Sequence, residues 1–332
     1  MREIIIDMIA WRVRMASMKR IKLKAPCCYH LMARLGQEVP VWKPVEQEVL
    51  RKMLRRLADF AGARIITYCL MSNHFHVLLE FPEELRAKDD AAIMERVRAY
   101  YKRASTKRMR LYALAVESAY KRGGGDWERM RERVQRRMGD ISTFMQQLKQ
   151  VFTVHINKSR VRRGTLWSER FRSVAVEGSA TAVATMAAYI DLNPVRAGLV
   201  KDPKDYRFSG YGEAMGGGKA ARAGIAALVS GRAWKEAHDL YRELLLGKGR
   251  VAKAHGGRIG RGVKERLGLA DLVRCRVRYF TAGAVLGSAA FVKDWLSPSG
   301  RSAAHALKGG DWEGLHAHRN LRVRAVEAAE NP

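Results

Sequence analysis

Apolar residues recur at Val45, Val49, Leu50, Met53, Leu54, Leu57 and Phe60, which is the spacing of one helix face and predicts a helix over 45–61. Before it, residues 26–36 (PCCYHLMARLG) suit a strand ending at Gly36. After it, residues 64–71 (RIITYCLM) are rich in strand formers. Ser72-Asn73 is a short turn signal, and 74–81 (HFHVLLEF) reads as the second arm of a hairpin. The long, charged, arginine-rich stretch 83–140, with Gly123-Gly124-Gly125 inside it, is expected as a helical insertion. The pattern then resumes with an amphipathic helix over 141–157 (ISTFMQQLKQVFTVHIN), a basic loop at 158–164 and a strand over 171–178 (FRSVAVEG). Residues 179–193 (SATAVATMAAYIDLN) predict a last helix, with Ser179 as its N-cap and Pro194 as its stop.

With the insertion set aside, the order is strand, helix, strand, strand, helix, strand, helix. That is the split βαβ, or ferredoxin-like, arrangement of the α+β class, with one added helix carrying Tyr189. Right-handed crossovers put the first two helices on one face of the sheet. From about residue 213 the chain is basic and punctuated by glycines, and it reads as an extension of linkers and short helices.

Charge changes the picture most. The 332 residues carry a net charge of +29, with a pI near 10.5 and 47% hydrophobic residues, so a foldable chain repels itself unless a polyanion is near. Nucleic acid is the expected partner. No run of about 18 apolar residues predicts a membrane span. The opening MREIIIDMIAW has Asp7 within its apolar stretch and does not read as a signal peptide. Met18, before Lys19 and Arg20, is a second candidate start. The four cysteines, Cys27, Cys28, Cys69 and Cys275, show no CxxC spacing and read as reduced thiols in a cytoplasmic protein.

His74 and His76 flank Phe75 on the second hairpin strand. Side chains alternate along a strand, so both imidazoles share a face and can share a divalent metal, while Phe75, Val77 and Leu79 point to the core. A bare HxH is a weak signal; His316-Ala317-His318 is another, with no strand pattern around it, and is read as merely solvated. Tyr189 and Asn193 lie about one turn apart on the last helix. Val183, Met186, Ala187 and Ile190 form its apolar stripe, so the phenol is expected on the flank, with room for a DNA strand beside it. GTLWSERFRS (164–173) offers Trp167 and Phe171 for base stacking or for the core, and Arg170 and Arg172 for phosphates, next to Lys158, Arg160, Arg162 and Arg163 in the preceding loop. Arg196 counts with these as a candidate DNA contact.

LMSNHFHVLLE (70–80), ISTFMQQLKQVFTVHIN, GTLWSERFRS and AAYIDLNPVRAGLV (187–200) follow one another as in the REP-associated tyrosine transposases of the HUH superfamily, which the chain resembles over about residues 26–211. YRFSGY (206–211) resembles the segment that closes that domain. The resemblance implies a catalytic domain over 18–212, interrupted by the 83–140 insertion, and a basic extension over 213–332. Within the extension, residues 274–296 are a candidate helix-turn-helix. It implies Tyr189 as nucleophile, His74, His76 and Asn193 as ligands of magnesium or manganese, and single-stranded or hairpin DNA as the partner of a monomer or homodimer. The expected activity is cleavage and strand transfer through a 5′-phosphotyrosine.

Two other classes compete. A non-catalytic or domesticated single-stranded nucleic-acid-binding module would use the aromatic and basic residues but needs neither the HxH nor the Tyr/Asn pair. A two-histidine phosphodiesterase would need two His-x-Thr/Ser elements, and the chain contains none. A structural zinc site lacks its Cys/His spacing.

Overall fold

The computed structural model describes residues 27–246, apart from 86, 88, 105 and 229–232, together with 279–296, 311–312 and 315–319. Four strands form the first part of its sheet: β1 (Cys27–Arg34), β2 (Arg64–Leu70), β3 (His74–Glu80) and β4 (Arg172–Glu177). They lie in the order β2-β3-β1-β4, all antiparallel to their neighbours, which is the ferredoxin-like arrangement expected from the element order. A bulge between Ile65 and Thr67 bends β2.

Helix α1 (Pro44–Ala61) starts with proline in its first turn, and Glu46 Oε2 accepts the Lys43 N–H at 2.8 Å. The insertion folds into α2 (Asp90–Tyr101), α3 (Lys107–Arg122) and α4 (Gly124–Gln135). Helix α5 (Ile141–Ser159) is capped by Asp140, which accepts the Thr143 N–H at 2.8 Å. One face of the sheet, bearing Leu31, Tyr68, Phe75, Val77 and Leu79, is buried under α1 and α5. Ile93, Met94, Val97 and Trp127 carry the insertion into this same core.

The opposite face, bearing Cys28, Met32, Leu78, Val174 and Val176, is covered by α6 (Ala180–Asp191) and by helices that follow it. After the short α7 (Asn193–Arg196) come α8 (Gly210–Met215), α9 (Lys219–Ala227) and α10 (Trp234–Leu246). A Cβ on Gly224 would sit 2.5 Å from the carbonyl oxygens of Ile65 and Ile66, so glycine is what lets α9 press onto β2. Ser179 ends up hydrogen-bonded to Glu177 rather than capping α6, and Pro194 opens α7 instead of ending helical structure.

The helix-turn-helix expected over 274–296 is corrected. Its described part is α11 (Tyr279–Ala282), strand β5 (Gly283–Gly287) and α12 (Ala289–Leu296); residues 274–278 lie outside the described residues. Strand β5 pairs parallel with β4, and β6 (Asp311–Trp312) and β7 (Leu315–Arg319) extend the sheet to β2-β3-β1-β4-β5-β7-β6. His316 and His318 therefore lie on a strand, which their sequence surroundings did not indicate. Parallel pairing to β4 rewards Ala284, Val285 and Leu286 with burial, a non-local gain invisible in the local pattern.

Candidate active site

Strand β3 places His74 and His76 on the face that meets α6, with ring centroids 5.1 Å apart, while Phe75 is fully buried on the other face. His74 stays partly exposed at the start of the strand, and its Nδ1 lies 2.6 Å from Asn73 Oδ1. His76 is buried. Burial foremost, and then the neighbouring His74, His30, Arg196 and Arg34, hold it well below the ordinary histidine range.

A third histidine joins them. His30 sits mid-strand on β1, fully buried, with Nε2 2.9 Å from His76 Nδ1 and Nδ1 2.9 Å from the Phe280 carbonyl oxygen. Its ring stacks beside that of His76 at 5.1 Å, and burial pushes its pKa down to about 3. The sequence reading passed over it, although a histidine sharing the alternation of Cys28 and Met32 inside an apolar strand was a usable signal.

Tyr189 rises from α6 toward this cluster, its ring edge-on to His30 at 6.4 Å. It is not on an open flank. Only 3% of it is exposed, because Phe280 stacks on its ring at 4.7 Å and the Arg196 guanidinium sits over the ring 4.1 Å from its centroid. Arg196 also donates to the Tyr189 carbonyl. The expected room beside the phenol is taken up by the C-terminal extension, which leaves α6 buried on nearly every side.

Asn193 is half-buried at the start of α7, and its Nδ2 donates to the Ile190 carbonyl at 3.0 Å and more weakly to that of Tyr189 at 3.3 Å. With its amide nitrogen committed to the end of α6, the Oδ1 is the atom left to a cation. Among the described residues, no group of three or more His, Cys, Asp or Glu side chains is disposed to hold a metal ion. The donor chemistry of His74, His76 and Asn193 nevertheless fits one: two imidazoles, the buried one held neutral, and one amide oxygen.

Helix α6 is held in place from below. Asp191 is fully buried; Thr67 Oγ1 donates to it at 2.9 Å, the Tyr211 N–H at 3.1 Å and the Tyr241 hydroxyl at 2.7 Å. Burial raises its pKa to about 6, against the pull of these three donors.

The sequence-chosen DNA contacts separate. Arg163, Arg170 and Arg172 are exposed, with Arg172 paired to Glu169, and Arg162 is partly buried against Asn157 and the Thr165 carbonyl. Three others face inward. Arg160 donates to Glu46 and to the Pro40 and Val41 carbonyls. Trp167 packs among Trp42, Phe75 and Phe152, and its Nε1–H donates to Thr153. Arg196 lies against Tyr189.

Fold and cluster together define an α+β protein of the ferredoxin-like arrangement in which a strand-borne histidine pair faces a helix-borne tyrosine. Residues 24–129 match the family model for IS200-like transposases, which bears out over that segment the resemblance read from the sequence. The matched residues include His30, His74 and His76 and stop before Tyr189. A solved REP-associated tyrosine transposase bound to a REP hairpin aligns with a TM-score of 0.38 at 16% identity, covering 59% of this chain and 84% of that one. None of the curated proteins matches the chain. No described helix is long and apolar enough to cross a membrane.

Proposed function

We propose that the chain cleaves and rejoins single-stranded DNA through a transient bond to Tyr189, acting as a transposase-type strand transferase. The observation that carries this reading is the convergence of Tyr189 with the HxH strand in one cluster, bridged by His30 at 6.4 Å from Tyr189 and 5.1 Å from His76. The family match over 24–129 supports it for the histidine half of the site.

In the proposed step the Tyr189 oxygen attacks phosphorus in line. The O–P bond to tyrosine forms and the bond to the 3′ oxygen breaks; the phenol gives its proton to solvent and the leaving 3′ oxygen takes one from solvent, ending as a hydroxyl. A 5′-phosphotyrosine results, and a second 3′-hydroxyl reverses the step, so no nucleotide hydrolysis is needed. A phenol with a pKa near 10 is a poor nucleophile at neutral pH. When bound by His74, His76 and Asn193, magnesium or manganese would offset charge on the phosphate oxygens and the leaving oxygen. The chain's own contribution is placement. Arg196 fixes the face of the phenol, Asp191 anchors the helix that carries it, and exposed Arg163, Arg170 and Arg172 offer contacts to the phosphate backbone. The choice of hairpin or palindromic DNA follows from the sequence resemblance.

One observation favours the non-catalytic alternative: Tyr189 lies covered by Phe280. Both readings meet in one experiment. Labelled single-stranded hairpin DNA is incubated with the protein and manganese, then run on a denaturing protein gel. A label that migrates with wild type and is lost in Tyr189→Phe carries the enzyme reading. Tight, salt-sensitive binding with no adduct in either protein replaces it with the binding module.

A further inference from the structure

We infer that His30 is a positioning residue that fixes the tautomer of His76, so that the Nε2 lone pair of His76 is the one presented to a cation. The inference deepens the proposed function and rests on it for the role of the cation.

The argument is a chain of donors and acceptors. The Phe280 carbonyl can only accept, so His30 Nδ1, 2.9 Å away, must carry the proton that is donated to it. A neutral imidazole carries one N–H, which leaves His30 Nε2 with a lone pair. That nitrogen faces His76 Nδ1 at 2.9 Å, so His76 donates from Nδ1. The lone pair of His76 is then at Nε2. The other histidine reaches the same state by a separate route: Asn73 Oδ1 accepts from His74 Nδ1 at 2.6 Å, which leaves Nε2 of His74 as the acceptor. Two different partners thus give both imidazoles the same tautomer. Which nitrogen of a histidine ligates is set by the hydrogen bond its other nitrogen makes, and partners of this kind are worth about 10- to 100-fold in metal affinity.

The acceptor that starts the relay belongs to the C-terminal extension, 250 positions along the chain from His30. The extension therefore takes part in preparing a histidine of the strand pair, besides covering Tyr189.

Nitrogen-15 NMR of histidine-labelled, metal-free full-length protein tests the tautomer directly. His76 is expected to be protonated at Nδ1 with Nε2 bare; a proton on Nε2 overturns the inference whether or not any cation binds. Manganese titration followed by electron paramagnetic resonance tests the consequence without DNA or turnover. His30→Phe keeps the ring and removes both nitrogens. It is expected to weaken manganese binding about 10- to 100-fold. His30→Gln, whose Oε1 can accept the His76 proton, is expected to retain most of the affinity. A folded His30→Phe with wild-type manganese affinity overturns the inference. If His30→Phe does not fold, loss of affinity in a folded His30→Gln overturns it instead. A wild-type protein that binds no manganese while showing the expected tautomer overturns the metal reading of the site and leaves the His30–His76 relay standing.

Discussion

The ring of Phe280 lies nearly flat against that of Tyr189, with centroids 4.7 Å apart and planes 28° apart. With only 3% of Tyr189 exposed and Phe280 on one face of its ring, movement of the phenylalanine is expected to open the phenol to a phosphate. Phe280 contributes its backbone carbonyl to His30 as well, so a substitution that removes only the ring separates the two functions. Phe280→Ala is expected to raise the rate of covalent adduct formation. It should also cost about 3–5 kcal/mol of stability, as for other large buried aromatics. Timed gel assays of the adduct, with denaturant unfolding in parallel, check both; an unchanged or slower adduct rate in a folded variant refutes the covering role.

Tyr189→Phe removes one oxygen and leaves both the stack with Phe280 and the cation contact with Arg196 in place. Stability should change by less than about 1 kcal/mol, and DNA affinity should stay near wild type, while the adduct disappears. Retention of the adduct would reassign the nucleophile.

The central four strands and the shared face of His74 and His76 were legible because both depend on short-range alternation and on element order. Phe75, Val77 and Leu79 facing the opposite core follow from the same period of two. The cover over Tyr189 was not legible. Local spacing on α6 placed the phenol beside small residues, and only the packing of residues 91 positions later fills that space. His30 shows both limits: its alternation with Cys28 and Met32 marks it as inward-facing, but its partners are 46 and 250 residues away and the strand does not name them. Residues 274–296 were expected as a helix-turn-helix, and only α11 and α12 of their described part are helical. The gain from pairing Ala284–Leu286 beside β4 decided otherwise.

Asp191 accepts hydrogen bonds from Thr67, Tyr211 and Tyr241 and offers no proton in its ionised form. Asp191→Asn places an amide N–H₂ against these donors, leaving at least one buried group unmatched. A loss of about 1–3 kcal/mol is expected in urea unfolding. Because the mutation loosens the helix that carries Tyr189, adduct formation should slow as well. A variant with wild-type stability would show that the network contributes nothing to anchoring α6.

His30 and Asp191 give the stability of the protein opposing pH dependences. His30 is held at about 3 in the folded chain against 6.5 when unfolded. Its contribution is fully present above pH 6.5 and is lost as pH falls toward 3, because the unfolded state then takes up a proton that the folded state refuses. The steepness approaches about 1.4 kcal/mol per pH unit. Asp191 is raised from 3.8 to about 6, so its buried charge costs up to about 3 kcal/mol above pH 6, and that cost is relieved as pH falls toward 4. Between pH 6 and 4 the two terms partly offset. His30→Gln removes one of them and leaves the other, so the variant's stability should fall less steeply than wild type over this window, measured as urea midpoints at fixed ionic strength. A parallel pH profile in the two proteins would mean that folded His30 takes up its proton over this window as readily as the unfolded chain, against a pKa lowered by burial.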